Sequence, residues 1–224
     1  MWTNKIKSFL LDAIYPVKCL GCGKSETLIC HQCFKKLMSM ANSPIYRQDM
    51  GFEKMIIALN YKEHIVEKII KTFKYPPYIK SLKKILALAL TTAIQNFPND
   101  ISYLKKNNFV LSPVPLSRLK LAQRGFNQSE LLSAELSQKL SLKHRPNLLK
   151  KNKNTKSQTN LNFEQRKANV QNVFVVKSDN CPPNIILVDD ICTSGATLQA
   201  ASHALRQAGV KKIWAFVLAK GQKI

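Results

Sequence analysis

Ile185–Ile186–Leu187–Val188–Asp189–Asp190–Ile191–Cys192–Thr193–Ser194–Gly195–Ala196–Thr197–Leu198 is the stretch whose reading decides the fold. Ile185 to Val188 is a continuous apolar run, the pattern of a strand buried on both faces. Two adjacent carboxylates end it, and a hydroxyl-rich turn with one glycine follows. A helix opens at about Ala196, with Leu198, Ala201, Leu205 and Ala208 on one side and Gly209 placed to close it.

Each part of that string has its own chemistry. The turn from Thr193 to Thr197 aims backbone N–H groups and three hydroxyls at one spot, and the helix N-terminus adds the positive end of its dipole. Gly195 removes a side chain where an anion must come close. Thr193, Ser194, Gly195, Ala196 and Thr197 therefore read as a phosphate cradle. Asp189 and Asp190 would repel a bare phosphate at that distance. They make sense if the same ligand also offers vicinal hydroxyls, and a 5-phosphoribosyl group has both features. The plainer alternative, an acidic cap on a helix, accounts for one aspartate and Thr193 but not for the whole string. The competing phosphate motifs GxxxxGK[ST] and GxGxxG are absent.

Outward from this core, strand and helix patterns alternate. Met55 to Leu59, Phe109 to Leu111 and Ile213 to Leu218 are strand candidates. Ile65, Val66, Ile69, Ile70 and Phe73 recur at helical spacing up to Pro76–Pro77, and Leu82 to Ile94 reads as a second helix. Asn127 is placed to cap a helix whose buried side is Leu131, Leu132, Ala134, Leu136 and Leu140. Lys150 to Gln158 has no apolar residue and reads as an exposed, mobile loop. The alternation implies right-handed crossovers and an α/β fold, a mostly parallel sheet flanked by helices.

Four of the six cysteines form two CxxC pairs, Cys19–Cys22 and Cys30–Cys33, seven residues apart. Each pair is a tight turn that aims two thiolates at one point, and two such turns complete a closed tetrahedral four-sulfur site, the donor set of structural Zn2+. Cys181 and Cys192 stand apart. This pattern fits a metal site in a cytoplasmic protein better than a disulfide framework. Residues 1–43 read as an N-terminal zinc-binding module of zinc-ribbon type, with Asn42–Ser43–Pro44 as a turn or linker before the rest, 44–224. The start, Met1 to Lys18, is a poor signal peptide because Asp12 interrupts its apolar core. No apolar run reaches 18 residues, so stable membrane insertion is not expected.

The chain has 224 residues and a formal net charge of +22, from 35 Lys+Arg against 13 Asp+Glu. Such a balance attracts polyanions such as nucleic acid or phosphorylated ligands. Lysine supplies most of the surplus, and a genome with AT-rich codons would scatter that charge without making a patch. One interval is nevertheless dense: Leu136 to Ser178 holds ten basic residues and one acidic residue, Glu164. Aromatic residues are sparse there, which gives base stacking little support.

The acidic pair with its hydroxyl-glycine turn resembles the signature of type I phosphoribosyltransferases, which bind phosphoribosyl pyrophosphate with Mg2+. Further motifs narrow the resemblance. Val114–Pro115 ends a strand and is followed by Arg118 and the string Arg124–Gly125–Phe126–Asn127–Gln128; then come Gln158, Leu161, Arg166, Asn169 and Phe174. With the double CxxC, these resemble the ComF family of competence-associated proteins over nearly the whole chain. The resemblance implies a type I phosphoribosyltransferase-like domain over 44–224 and a role in natural transformation, the handling of incoming single-stranded DNA. It implies partners such as single-stranded DNA and other competence proteins, for example a helicase. It places Asp189 and Asp190 on the ribose hydroxyls as the catalytic pair, Thr193 to Thr197 on the 5-phosphate, and Arg118, Arg124, Lys151 and Lys153 on pyrophosphate. Where the family often has arginine near Lys151 and Lys153, lysine keeps the charge but loses the two-pronged hydrogen bond. Two readings stay open: an enzyme with an unknown nitrogen acceptor, or a non-catalytic binding module that uses the same ligand as a signal or anchor.

Overall fold

A computed structural model describes residues 17–48, 51–152, 173–177 and 181–221. Its centre is a six-stranded sheet in the order β1-β2-β8-β7-β3-β4, built from β1 (Ile45–Arg47), β2 (Lys54–Asn60), β3 (Val110–Pro113), β4 (Lys143–His144), β7 (Asn184–Cys192) and β8 (Lys212–Lys220). All neighbours run parallel except β1 against β2. A separate antiparallel ribbon joins β5 (Leu149–Lys151) to β6 (Phe174–Val176).

Both sheet faces are covered, which is why the central strands are apolar throughout. In β8 every residue from Ile213 to Ala219 is buried. One face packs under α2 (His64–Lys74), α3 (Leu82–Gln95), α4 (Pro98–Lys106) and α6 (Gln128–Leu140), around Ile56, Ile186, Val188 and Phe216. The other packs under α7 (Ala196–Gln207) and the ribbon, around Ile57, Leu187, Ala215 and Val217. The first helix, α1 (His31–Ala41), adds Cys33, Leu37 and Ala41 to the first of these clusters, together with Cys19 and Cys30. The cysteine segment is thus packed into the same apolar core as the sheet.

The crossovers explain where a ligand can bind. From β3 the chain passes through α5 (Arg118–Arg124) and α6 on one face to reach β4 on one side. From β7 it passes through α7 on the opposite face to reach β8 on the other side. Right-handed connections in opposite directions must use opposite faces. Between the carboxyl ends of β3 and β7 the connections therefore part, and this is the topological switch point at which open α/β sheets leave a crevice.

Several elements follow the sequence closely. Tyr75 leaves α2 in extended geometry ahead of Pro76, as a residue before proline prefers. Asn127 caps α6, accepting from the N–H of Ser129 at 3.1 Å. Two details differ from expectation. Strand β7 does not end at the carboxylates but runs on to Cys192, because Asp189, Ile191 and Cys192 stay paired with β8. Lys150 and Lys151 are not loop but part of β5, whose Leu149 is buried. The remainder of the expected loop, from Lys153 to Gln158, lies outside the described residues, as do Leu161, Arg166 and Asn169.

Candidate functional site

The turn after β7 lies at the switch point. Asp189, Thr193, Ser194, Gly195, Ala196 and Thr197 line one small recess of about 30 Å³, together with Ile191, Cys192 and Leu198. Gly195 has φ of 78°, the left-handed region that a side chain would strain, and it is the residue from which α7 starts. With no side chain at that position to cap the helix, its first residues, Ala196, Thr197 and Leu198, line the recess, and Ala196 N–H lies 3.4 Å from Ser194 Oγ. Thr193, Ser194 and Thr197 are exposed there.

The two aspartates have different surroundings. Asp189 Oδ1 accepts from Ser129 Oγ at 2.9 Å and from the N–H of Asp190 at 2.9 Å. Burial and the neighbouring Asp190 charge push its carboxyl up to about 7, against the pull of the Ser129 hydroxyl and of Lys74. Asp190 is buried and does not line the recess; its Oδ2 pairs with Lys74 Nζ at 2.9 Å. Lys74 is the last residue of α2.

The Arg124–Gln128 string makes several contacts that fasten the start of α6. Asn127 Nδ2 donates to the Val114 carbonyl at 3.0 Å, which ties the start of α6 to the end of β3. Arg124 donates to Gln128 Oε1 at 3.1 Å, and its guanidinium lies 5.2 Å from the Tyr75 ring centre. Phe126 packs against Phe73 and Tyr78. Gly125 ends α5 at φ 73°. Arg118 stands exposed at the start of α5. Lys151 is brought into the field of Asp189 and of Lys120; burial first, then the Lys120 charge, lower its pKa. Lys153 lies outside the described residues.

Four contributors escaped the sequence reading. Lys74 and Ser129 carried no motif, being set against the aspartates by packing alone. Lys120 looked like one more surface lysine. Gly221 donates its N–H to the Cys192 carbonyl at 2.8 Å, and a Cβ there would come within 2.7 Å of Thr193 and 3.0 Å of Ile191. A lone glycine after the last strand was the only available signal for it.

The four cysteine sulfurs of Cys19, Cys22, Cys30 and Cys33 all lie within 4.8 Å of one another. A tetrahedral zinc site with bonds of about 2.3 Å needs sulfurs roughly 3.8 Å apart, and Cys22 and Cys30 are 3.6 Å apart. Burial raises the Cys19 thiol, but the backbone N–H groups of Cys22, Cys30 and Gly21 together outweigh it and bring it down to about 6. The Cys33 backbone likewise lowers Cys30. Burial and the three neighbouring thiols push Cys33 up to about 12. Four thiols so close cannot all ionise without a cation among them, so the donor set fits a divalent soft metal. Gly21 is needed in the first turn: a Cβ would meet Cys33 Sγ at 2.5 Å.

Comparison with known proteins agrees with this architecture. Residues 132–223 match the phosphoribosyl transferase domain family, a span that includes β7, the hydroxyl-glycine turn and α7. "Competence protein F" of Haemophilus influenzae is 31% identical over 212 residues, covering 90% of each chain. "Competence protein ComFC" of Bacillus subtilis is 26% identical over 198 residues, 85% of this chain and 72% of that one. "DNA utilization protein YhgH" of Escherichia coli K12 is 29% identical over 107 residues, 48% and 47% of the two chains. The fold, the cysteine cluster and a similarity that runs nearly end to end agree: the chain belongs to the ComF family of competence proteins, with a phosphoribosyltransferase-like fold.

Proposed function

We propose that this chain binds phosphoribosyl pyrophosphate and serves natural competence, the uptake and handling of transforming DNA. The observation that carries the ligand is the shared recess, in which a carboxylate on one rim faces a hydroxyl-glycine turn and a helix N-terminus on the other. The turn from Thr193 to Thr197 receives the 5-phosphate, and Asp189 and Asp190 accept hydrogen bonds from the ribose hydroxyls. Lys151, with Lys153, Arg118 and Arg124, supplies positive charge to the pyrophosphate. Mg2+, if it accompanies the substrate, would supply countercharge to the leaving pyrophosphate. If a nitrogen acceptor attacks C1 of the ribose, the two carboxylates steady an oxocarbenium-like transition state by their charge. Zn2+ at Cys19, Cys22, Cys30 and Cys33 has a structural role, because four protein ligands leave no open position. Residues 1–43 act as the zinc module, 44–224 as the phosphoribosyltransferase-like domain, and the setting is cytoplasmic.

Calorimetric titration with phosphoribosyl pyrophosphate and Mg2+ tests this reading. The wild type should bind, and Asp189→Ala with Asp190→Ala should weaken binding by at least tenfold. Equal binding by both would sink it. A second reading, a non-catalytic module that binds single-stranded DNA, draws on the +22 charge and on the competence names of its relatives. Release of pyrophosphate in the presence of an acceptor panel separates the two: turnover by the wild type favours the enzyme, and ligand binding without turnover favours the module.

A further inference from the structure

The strongest group that the motifs leave unexplained is Lys74. Its ammonium sits against Asp190 at 2.9 Å, with the lysine side chain 16% and the carboxylate 10% exposed. It comes from the far end of α2, more than a hundred residues away in sequence. Among the described residues it is the one cation paired with either aspartate, and it takes only Oδ2 of Asp190. Among the described residues nothing else pairs with this carboxylate, so its Oδ1 is the atom that a ribose hydroxyl would have to reach, although Asp190 itself stays outside the recess lining.

Two adjacent carboxylates are a poor host for a phosphorylated sugar. Both repel its phosphates, and burial makes the repulsion stronger. One fixed ammonium cancels one of the two charges without using up both acceptor oxygens. It also pins the Asp190 carboxylate in a single orientation, as Ser129 pins Asp189. We infer that Lys74 is a positioning residue of the ribose subsite: its ion pair sets Asp190 so that the aspartate reads a ribose hydroxyl while the site tolerates phosphate. This rests on the proposed phosphoribosyl site and adds to it a determinant of sugar specificity.

The consequence is selectivity, which mere stability would not show. Wild-type protein should bind ribose 5-phosphate more tightly than 2-deoxyribose 5-phosphate or 3-deoxyribose 5-phosphate. Lys74→Met should reduce ribose 5-phosphate affinity by about tenfold, the order expected when one partner of a buried charged pair is removed. It should also flatten at least one of the two selectivity ratios. Lys74→Arg, which can still reach a carboxylate, should keep both ratios within a few fold of wild type. Circular dichroism and melting curves on each variant confirm that folded protein is compared, and if Lys74→Met does not fold, Lys74→Gln takes its place in the same comparison. Wild-type binding with unchanged ratios in the folded variant overturns the inference alone. No binding of any sugar phosphate by the wild type overturns the phosphoribosyl reading and this inference with it.

Discussion

At the scale of single residues, the site is strained electrostatically before any ligand arrives. Asp189 has a carboxyl raised to about 7 by burial and by Asp190. A carboxylate raised in the folded state binds a proton there that the unfolded chain has already released. Folding stability therefore falls as pH rises from about 4 to about 7 and levels off above. Asp189→Asn should raise the melting temperature at pH 8, should change it little at pH 4, and should abolish phosphoribosyl pyrophosphate binding at both. A lower melting temperature at pH 8 would contradict the assignment of the strain. Gly221 tests the shape of the recess from its other side. Gly221→Ala puts a methyl against the Cγ2 methyls of Thr193 and Ile191, short β-branched side chains that can yield only by turning or by moving the turn with them. Binding of phosphoribosyl pyrophosphate should weaken by about tenfold, since a displacement near 1 Å can cost a hundredfold, with a small change in melting temperature. Unchanged affinity would show that the turn moves freely.

At the scale of elements, fastening explains why short motifs sit far from the chemistry they serve. Asn127 bonds both the Val114 carbonyl and the Ser129 N–H, and Ser129 in turn holds Asp189. Asn127→Ala should cost about 1–2 kcal/mol of stability in urea unfolding, the usual loss of a side-chain cap, and should weaken the ligand because Ser129 is released. The cysteine cluster shares an apolar core with Ile56, Ile65 and Leu86. If Zn2+ holds the cluster, a chelator should lower the melting temperature of the whole protein, and one equivalent of Zn2+ should restore it. A melting curve indifferent to chelator would rule out a structural metal. Much of this was legible in the chain: β7, its turn and α7 are written as an apolar run, polar punctuation and helical spacing, and the CxxC pairs declare their donor set. What was not legible depends on packing. The two-residue strand β4 and the short β1 have too few residues for any period to show. Helix α4 is amphipathic but buries only Leu104. Lys74 and Ser129 reach the aspartates across the fold, Lys120 acts on Lys151, and no local pattern marks such a partner.

At the scale of the whole molecule, the surplus of positive charge divides into roles. Lys74 answers Asp190 inside the fold, Lys151 feels the charges of Lys120 and Asp189, and many other lysines face solvent. Among the described residues, no helix is long and apolar enough to cross a membrane. If the outer lysines hold a DNA strand, its affinity should fall steeply between 50 and 200 mM salt, by about 10³ or more for six phosphate contacts, while Asp189→Ala leaves it unchanged. A flat salt response in a filter-binding or anisotropy assay would remove the DNA role for that surface. The central claim, however, concerns the recess at the switch point between β3 and β7. The most direct measurement is a crystal structure after soaking with phosphoribosyl pyrophosphate and Mg2+. The expected result is density for the 5-phosphate within the turn from Thr193 to Thr197 and for the ribose hydroxyls against Asp189 and Asp190; a ligand bound elsewhere, or an empty recess at saturating ligand, would contradict it.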